Sequence, residues 1–328
     1  MRNFAILAAV AALTIPVAAQ AQAIITNGTV GLGVDRAGQL NIASTNRSNG
    51  APGSSTTAYG LRDIATNHES TADGCLCEGW GAAVAGVGHA VYANNANANS
   101  KVIDSFTSTA TTATSRVHSV DGALGVLQEY STTVTPYLFM DKVTITNLTG
   151  ADFTGATLYR RTMDWDIEPT AFREYSTIQG TTGATHVLDA NDNGFCNSNP
   201  LAGCASLGST GDFIDSGPRD HGANFTFTFD ALKAGASQSL FVFYGVAPTR
   251  SAAIGALAAV GAEVYSFGNS SLGGHVNDQT FIFGFKGVGG TVIHGVPEPT
   301  SWALMIMGAG FVGATLRTSR RRRVALAA

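Results

Sequence analysis

Asn224-Phe-Thr-Phe-Thr-Phe229 decides the fold class. Phe225, Phe227 and Phe229 alternate with Thr226 and Thr228, and a period of two puts the three rings on one face and the hydroxyls on the other. A helix would scatter those rings around its circumference, so the stretch predicts a half-buried antiparallel strand. Phe281, Phe283 and Phe285 repeat the device. Working outward, the same reading predicts strands at 124–130, 137–147, 156–167, 185–188, 239–246 and 280–288. Asp121-Gly122, Thr149-Gly150 and Asn193-Gly194 supply turns between them. Many strands with one greasy face bury that face most simply in a two-layer antiparallel β-sandwich. Residues 251–265 carry Ile254, Leu257, Ala258 and Val264 near helical spacing, which predicts one short connecting helix.

The regular strands occupy residues 115–290 of a body spanning 24–295. Residues 24–99 are less periodic, with strands expected at 24–34 and 81–92. Turns are expected at Asn27-Gly28, Asn49-Gly-Ala-Pro-Gly53 and Asp73-Gly74, and 93–99 is a low-complexity Asn/Ala loop. No repeat of fixed period is visible.

Charge limits what the body does. Residues 24–296 hold 13 Lys and Arg against 22 Asp and Glu. A nucleic-acid binder needs a basic face, so nucleic acid is disfavoured as a partner. Gly, Ala, Ser, Thr and Asn dominate, with four lysines in the whole chain, a usage that fits a turn-rich extracellular β protein.

Cys75, Cys77, Cys196 and Cys204 are an even set and disulfide candidates in an exported chain. Cys196 with Cys204 closes an Asn/Ser/Pro/Gly loop easily. Cys75 with Cys77 must bridge across one residue, so pairing between the two clusters stays open. A zinc site from the two pairs lacks the usual two-to-four-residue spacing at both ends. Trp80, in Cys75-Leu-Cys-Glu-Gly-Trp-Gly81, reads as a ring packed beside a disulfide or, alternatively, as a sugar-stacking platform.

Two stretches carry candidate chemistry. On the strand Tyr159-Arg-Arg-Thr-Met-Asp-Trp-Asp-Ile-Glu168, alternation puts Tyr159, Arg161, Met163, Trp165 and Ile167 on one face and Arg160, Thr162, Asp164, Asp166 and Glu168 on the other. Residues two apart on a strand lie roughly 6.5–7 Å from one another, a spacing that suits a hydrolytic carboxylate pair or a shared cation. The plainer expectation is a solvated face on which Arg160 partly neutralises Asp164. Arg161, on the apolar face, needs a carboxylate or carbonyl partner. Asp189-Ala-Asn-Asp-Asn-Gly194 opens like a calcium loop, with oxygens at Asp189, Asn191 and Asn193, but its twelfth position is Pro200 where a bidentate Glu belongs. An ordinary Asx-rich turn explains the residues equally well. No Gly-x-Ser-x-Gly, phosphate loop or His-Glu-x-x-His occurs. No other cofactor is expected.

Both ends of the chain point to export. Residues 1–23 have Arg2, an apolar stretch and Ala21-Gln-Ala23, the features of a secretory signal helix. At the other end, 296–328 combine Pro297-Glu298-Pro299, an apolar run over 302–316 beginning at Trp302, and Arg317 with Arg320, Arg321, Arg322 and Arg323. A helix of that run is about 22 Å long, short of the roughly 30 Å hydrocarbon core, so it reads as a marginal transmembrane helix with its arginines in the cytoplasm.

That order of parts closely resembles the PEP-CTERM sorting signal of Gram-negative bacteria. The resemblance covers about the last thirty residues. It implies recognition by an exosortase, a membrane enzyme that processes substrates near the Pro-Glu-Pro element and directs them to the envelope surface or extracellular matrix. The body is then expected to be a non-enzymatic surface or matrix protein associated with exopolysaccharide. The alternatives are a carbohydrate-active enzyme using Asp164, Asp166 and Glu168, and a calcium-dependent adhesive module built on Asp189, Asn191 and Asn193.

Overall fold

The computed structural model describes residues 22–43, 58–295 and Met307. The expected signal segment up to residue 21 lies outside the described residues, and so does the apolar run 302–316 apart from Met307. Among the described residues no helix is long and apolar enough to cross a membrane.

The body is all-β. Its strands begin with β1 Gln22–Thr26, β2 Val30–Asp35, β3 Leu61–Asp63, β4 Gly79–Val84, β5 Ala90–Asn94 and β6 Val102–Ser108. Then come β7 Ala113–His118, β8 Leu124–Thr132, β9 Leu138–Asn147, β10 Thr157–Trp165, β11 Glu174–Gln179 and β12 Val187–Asn191. The last are β13 Phe213–Arg219, β14 His221–Phe229, β15 Ser237–Ala247, β16 Val264–Asn269 and β17 Thr280–Lys286, with helix α1 Arg250–Val260 between β15 and β16.

A five-stranded sheet, β12-β14-β10-β4-β5, lies against a nine-stranded one, β13-β11-β16-β17-β15-β9-β8-β7-β6. Each neighbouring pair with an assigned register is antiparallel. The alternating phenylalanines join the layers: Phe225 and Phe227 of β14 each stand 4.8 Å, centroid to centroid, from Phe285 of β17. Burying these Phe rings between two sheets stabilises the fold by about 25 cal/mol per Å² of apolar surface removed from water.

Four expectations need revision. The body has a third sheet, β1-β2-β3, whose Ile25, Leu32, Val34 and Leu61 join the common core. Stretches 24–34 and 81–92 each fold as a hairpin rather than one strand, because turns at Asn27-Gly28 and around Gly86 and Gly88 interrupt them. The helix stops at Gly261 instead of 265: Val264 and Phe267 are taken into β16, which pairs with β17, and that ladder outweighs an alanine-rich helical preference. Strands β6, β7, β11 and β13 follow no alternation of large apolar residues, and tertiary pairing supplies what the pattern lacks. Helix α1 is capped by Thr249, whose Oγ1 accepts from the Ala252 N–H, and lies with Ala253, Ala256 and Leu257 against Phe243, Phe267 and Ile282 on the outer face of the large sheet.

Candidate functional site

β10 runs through the middle of the five-stranded sheet between β14 and β4, and both of its faces are covered. The outer face of that sheet is roofed by residues 192–204. Arg160 holds the roof: its Nη1 donates to the carbonyls of Asn197, Asn199 and Ala202 at 2.8, 3.1 and 3.0 Å, and its Nε to Thr226 Oγ1 at 2.9 Å. Cys196–Cys204 braces the same segment. Two glycines let the roof and the neighbouring strand close onto the β10 backbone: a Cβ at Gly222 would fall 2.0 Å from the Met163 carbonyl oxygen, and one at Gly194 would fall 2.6 Å from Asp164 Cα.

This roof overturns the expectation of a solvated acidic face. Asp164, Asp166 and Glu168 are 1 %, 0 % and 2 % exposed. Arg160 does not neutralise Asp164; the carboxylate whose charge acts on it is Asp189. Nor do the three acids stay together. Glu168 Oε2 accepts the Glu69 N–H at 2.6 Å in a loop beyond the strand end.

Asp164 and Asp166 meet Asp220 instead, with one carboxylate oxygen from each lying within 4.8 Å of the others. The fold makes this meeting at a corner. After β10 the chain passes through Asp166 toward β11 in the large sheet, and between β13 and β14 it returns through Asp220, so both crossings between layers bring a carboxylate to one place. Glu174, first residue of β11, and Asp73 add negative charge.

The cluster is short of donors. Neither oxygen of Asp166 has a hydrogen-bond partner, nor does Asp164 Oδ1 or Glu174 Oε2. Glu174 Oε1 accepts the His221 N–H at 2.9 Å. Cys75 Sγ stands 3.3 Å from Asp164 Oδ2, but Cys75 is bonded to Cys77 and has no proton to give. Arg219, the neighbouring cation, is committed to Asp192. Burial, then the charges of Asp164, Glu174, Asp220 and Asp73, raise the Asp166 carboxyl far above the ordinary range. Burial and the Asp220 charge raise Asp164. Burial pushes Glu174 up to about 9. An anionic pocket with unfilled lone pairs suits a proton or an oxygen-preferring cation.

A second buried constellation lies between the layers. Arg161, on the core face of β10, gives Nε to Glu78 Oε1 at 2.5 Å, Nη1 to Gln128 Oε1 at 2.7 Å and Nη2 to Tyr130 Oη at 2.9 Å. Asp141 Oδ2 lies 3.5 Å from Nη1, and Tyr244 donates to Glu78 Oε1 at 2.9 Å. Each acceptor and aromatic partner here is buried, which gives the group the character of an ionic staple rather than a reaction centre.

The other sequence candidates are placed as follows. Asp189 and Asn191 lie within β12 rather than in a free loop. Asp189 Oδ2 accepts from Asn191 Nδ2 and Asn224 Nδ2, Asn191 Oδ1 accepts the Asn193 N–H, and Asn193 Oδ1 accepts the Phe195 N–H, so the oxygens serve a chain of Asx turns. The cysteines pair locally, Cys75 with Cys77 and Cys196 with Cys204, and not between clusters. Trp80 is fully buried with its Nε1 donating to Ala37 O, so it offers no stacking surface. Pro297, Glu298, Pro299, Trp302 and Arg320 to Arg323 lie outside the described residues. Asp220, Glu174 and Asp73 escaped the sequence reading. Asp73-Gly74 registered only as a turn, and nothing local marks the other two.

Comparison with known proteins adds little about the body. Among curated proteins none matches the sequence. A galactose mutarotase related enzyme from Lactobacillus acidophilus is similar in structure, with 8 % identity, 81 % of this chain and 86 % of that one covered, and a TM-score of 0.32. A galactose mutarotase-like protein from Lactobacillus casei gives 10 % identity, 81 % and 88 % coverage and a TM-score of 0.32. Scores this low establish no shared fold or activity. The tail is informative, since residues 295–323 match the family model of the PEP-CTERM protein-sorting motif. That motif implies processing by an exosortase, a membrane enzyme, and export to the cell surface. By its C-terminal segment, then, the chain is an exported protein carrying a PEP-CTERM sorting motif.

Proposed function

We propose that the protein is a non-enzymatic component of the envelope surface or extracellular matrix, associated with exopolysaccharide and delivered by an exosortase. The observation that carries this reading is the sorting-motif match at 295–323. The body's composition supports it: 22 acids against 13 bases over residues 24–296, with a Thr-, Asn- and Gly-rich remainder, make a hydrated anionic domain suited to a polysaccharide layer. On this reading residues 1–23 start export as a signal peptide. The run 302–316 then holds the protein in the inner membrane, with Arg320 to Arg323 in the cytoplasm, until the tail is removed.

The test is intact-mass analysis and fractionation of the protein from a Gram-negative host with its exosortase and from the same host without it. Loss of both ends and release from the inner membrane only when the enzyme is present support the route. A tail retained in both hosts sinks it and leaves a plain membrane-anchored surface protein.

A further inference from the structure

We propose that Asp164, Asp166 and Asp220 form a binding site for a single calcium ion at the corner where the two sheets exchange chain. Three observations carry this. The geometry fits one ion: calcium binds oxygens at 2.3–2.6 Å, so ligands on one ion stand at most about 5 Å apart, and the three carboxylates lie within 4.8 Å of one another. The second observation is independent of acidity. Asp166 is fully buried with both of its oxygens unpartnered, and the buried Asp164 leaves its Oδ1 without a donor as well. A bare buried carboxylate is among the costlier things a fold can hold, and the charges that act most on Asp166 are those of four other acids, Asp164, Glu174, Asp220 and Asp73. The third is access: Asp220 is exposed while its two partners are not, so an ion enters from solvent past Asp220 and is then held by buried oxygens.

The donor set selects the ion. All three ligands are carboxylates, and no histidine joins them among the described residues. The sulfurs of Cys75 and Cys77 are bonded to each other and supply no thiolate, so a soft metal has no hold. Magnesium demands a tight octahedron at 2.0–2.1 Å and gives up water reluctantly, whereas calcium accepts bidentate carboxylates in irregular numbers. The charges of Glu174 and Asp73 also act on Asp166 and add to the field that draws a divalent ion. The site is distinct from Asp189, Asn191 and Asn193, whose oxygens already accept N–H groups.

The experiment uses the full chain in mild detergent, stripped with EDTA, then titrated with CaCl2 by calorimetry and followed by thermal denaturation, independently of any sorting assay. One equivalent of calcium should bind, and the melting temperature should rise by several degrees. Asp220→Asn, at an exposed position, should weaken binding at least tenfold. Asp166→Asn should abolish the calcium response and melt in EDTA at or above the wild type, because it removes a buried carboxyl that has no donor and sits among other acids. Asp189→Asn should bind as the wild type does. The proposal is overturned if the wild type melts identically in EDTA and calcium, if Asp220→Asn and Asp166→Asn bind normally, or if Asp189→Asn is the variant that loses the ion. Equal response to magnesium or zinc would overturn the choice of calcium.

Discussion

Arg161 Nε stands 2.5 Å from Glu78 Oε1 with both side chains wholly buried between the two sheets. The guanidinium belongs to the small sheet, while Gln128, Tyr130, Asp141 and Tyr244 around it belong to the large one. One cation therefore ties the layers together by several hydrogen bonds at once, beside single bonds such as that of Trp165 Nε1 to Ser266 Oγ. Such a pair adds little over a well-packed apolar substitute, but breaking it from one side strands a charge. Arg161→Met should lose about 3–5 kcal/mol of unfolding free energy in urea, and Arg161→Met combined with Glu78→Gln should recover part of it. A loss below about 1 kcal/mol for the single variant would mean that water reaches the network.

The same network predicts a pH dependence. Burial raises the Asp141 carboxyl to about 7 against the pull of Arg161, and the Glu78 charge adds to the rise. Its folded value lies above the unfolded value of roughly 4. The folded chain therefore binds the proton more tightly, and the stability tied to this group is fully present below about pH 4 and is lost as pH rises through about 7. Urea midpoints at pH 4.5 and 8 should differ less in Asp141→Asn than in the wild type. Parallel profiles would show that Asp141 does not hold the proton.

Close approach at β10 gives a sharp steric prediction. Gly222→Ala would place a Cβ 2.0 Å from the Met163 carbonyl oxygen, a contact that only backbone movement relieves. It should cost about 2 kcal/mol or more and loosen the corner that holds Asp164. Gly150→Ala, with nothing within 4 Å of the added carbon, serves as the control and should change stability by less than about 0.5 kcal/mol. Denaturant midpoints of the two variants check both.

Peptide mapping without reduction should recover Cys75 linked to Cys77 and Cys196 linked to Cys204. Links between the clusters would contradict the fold. Replacing Cys196 and Cys204 together by Ala should cost about 2–3 kcal/mol through loop entropy, and should expose the face of β10 that Arg160 and the roof cover. Faster hydrogen exchange at residues 160–164 would report that opening.

How much was legible in advance depended on period. The rings of Phe225, Phe227 and Phe229 announce a strand and its buried face, and Phe225 and Phe227 sit against β17, but the strand is not half-buried as expected, since Thr226 on its other face is buried too. Alternation also separated Arg161 from Arg160 correctly, one to the core and one outward. It failed to say what lies outside. A period of two distinguishes the faces of a sheet but does not tell water from a covering loop, so Asp164 and Asp166 read as solvated although residues 192–204 bury them.

By itself the sequence determined the strand-rich body, the two cysteine clusters and the sorting motif of the tail, because alternation, spacing and the Pro-Glu-Pro, apolar and arginine order are local properties of the chain. Only the tertiary structure decided that Asp166 meets Asp220, fifty-four residues away, and parts from Glu168 two residues on. The physical reason is that a chain crossing repeatedly between two packed sheets brings distant residues to one corner, and no periodicity within a single strand encodes that return.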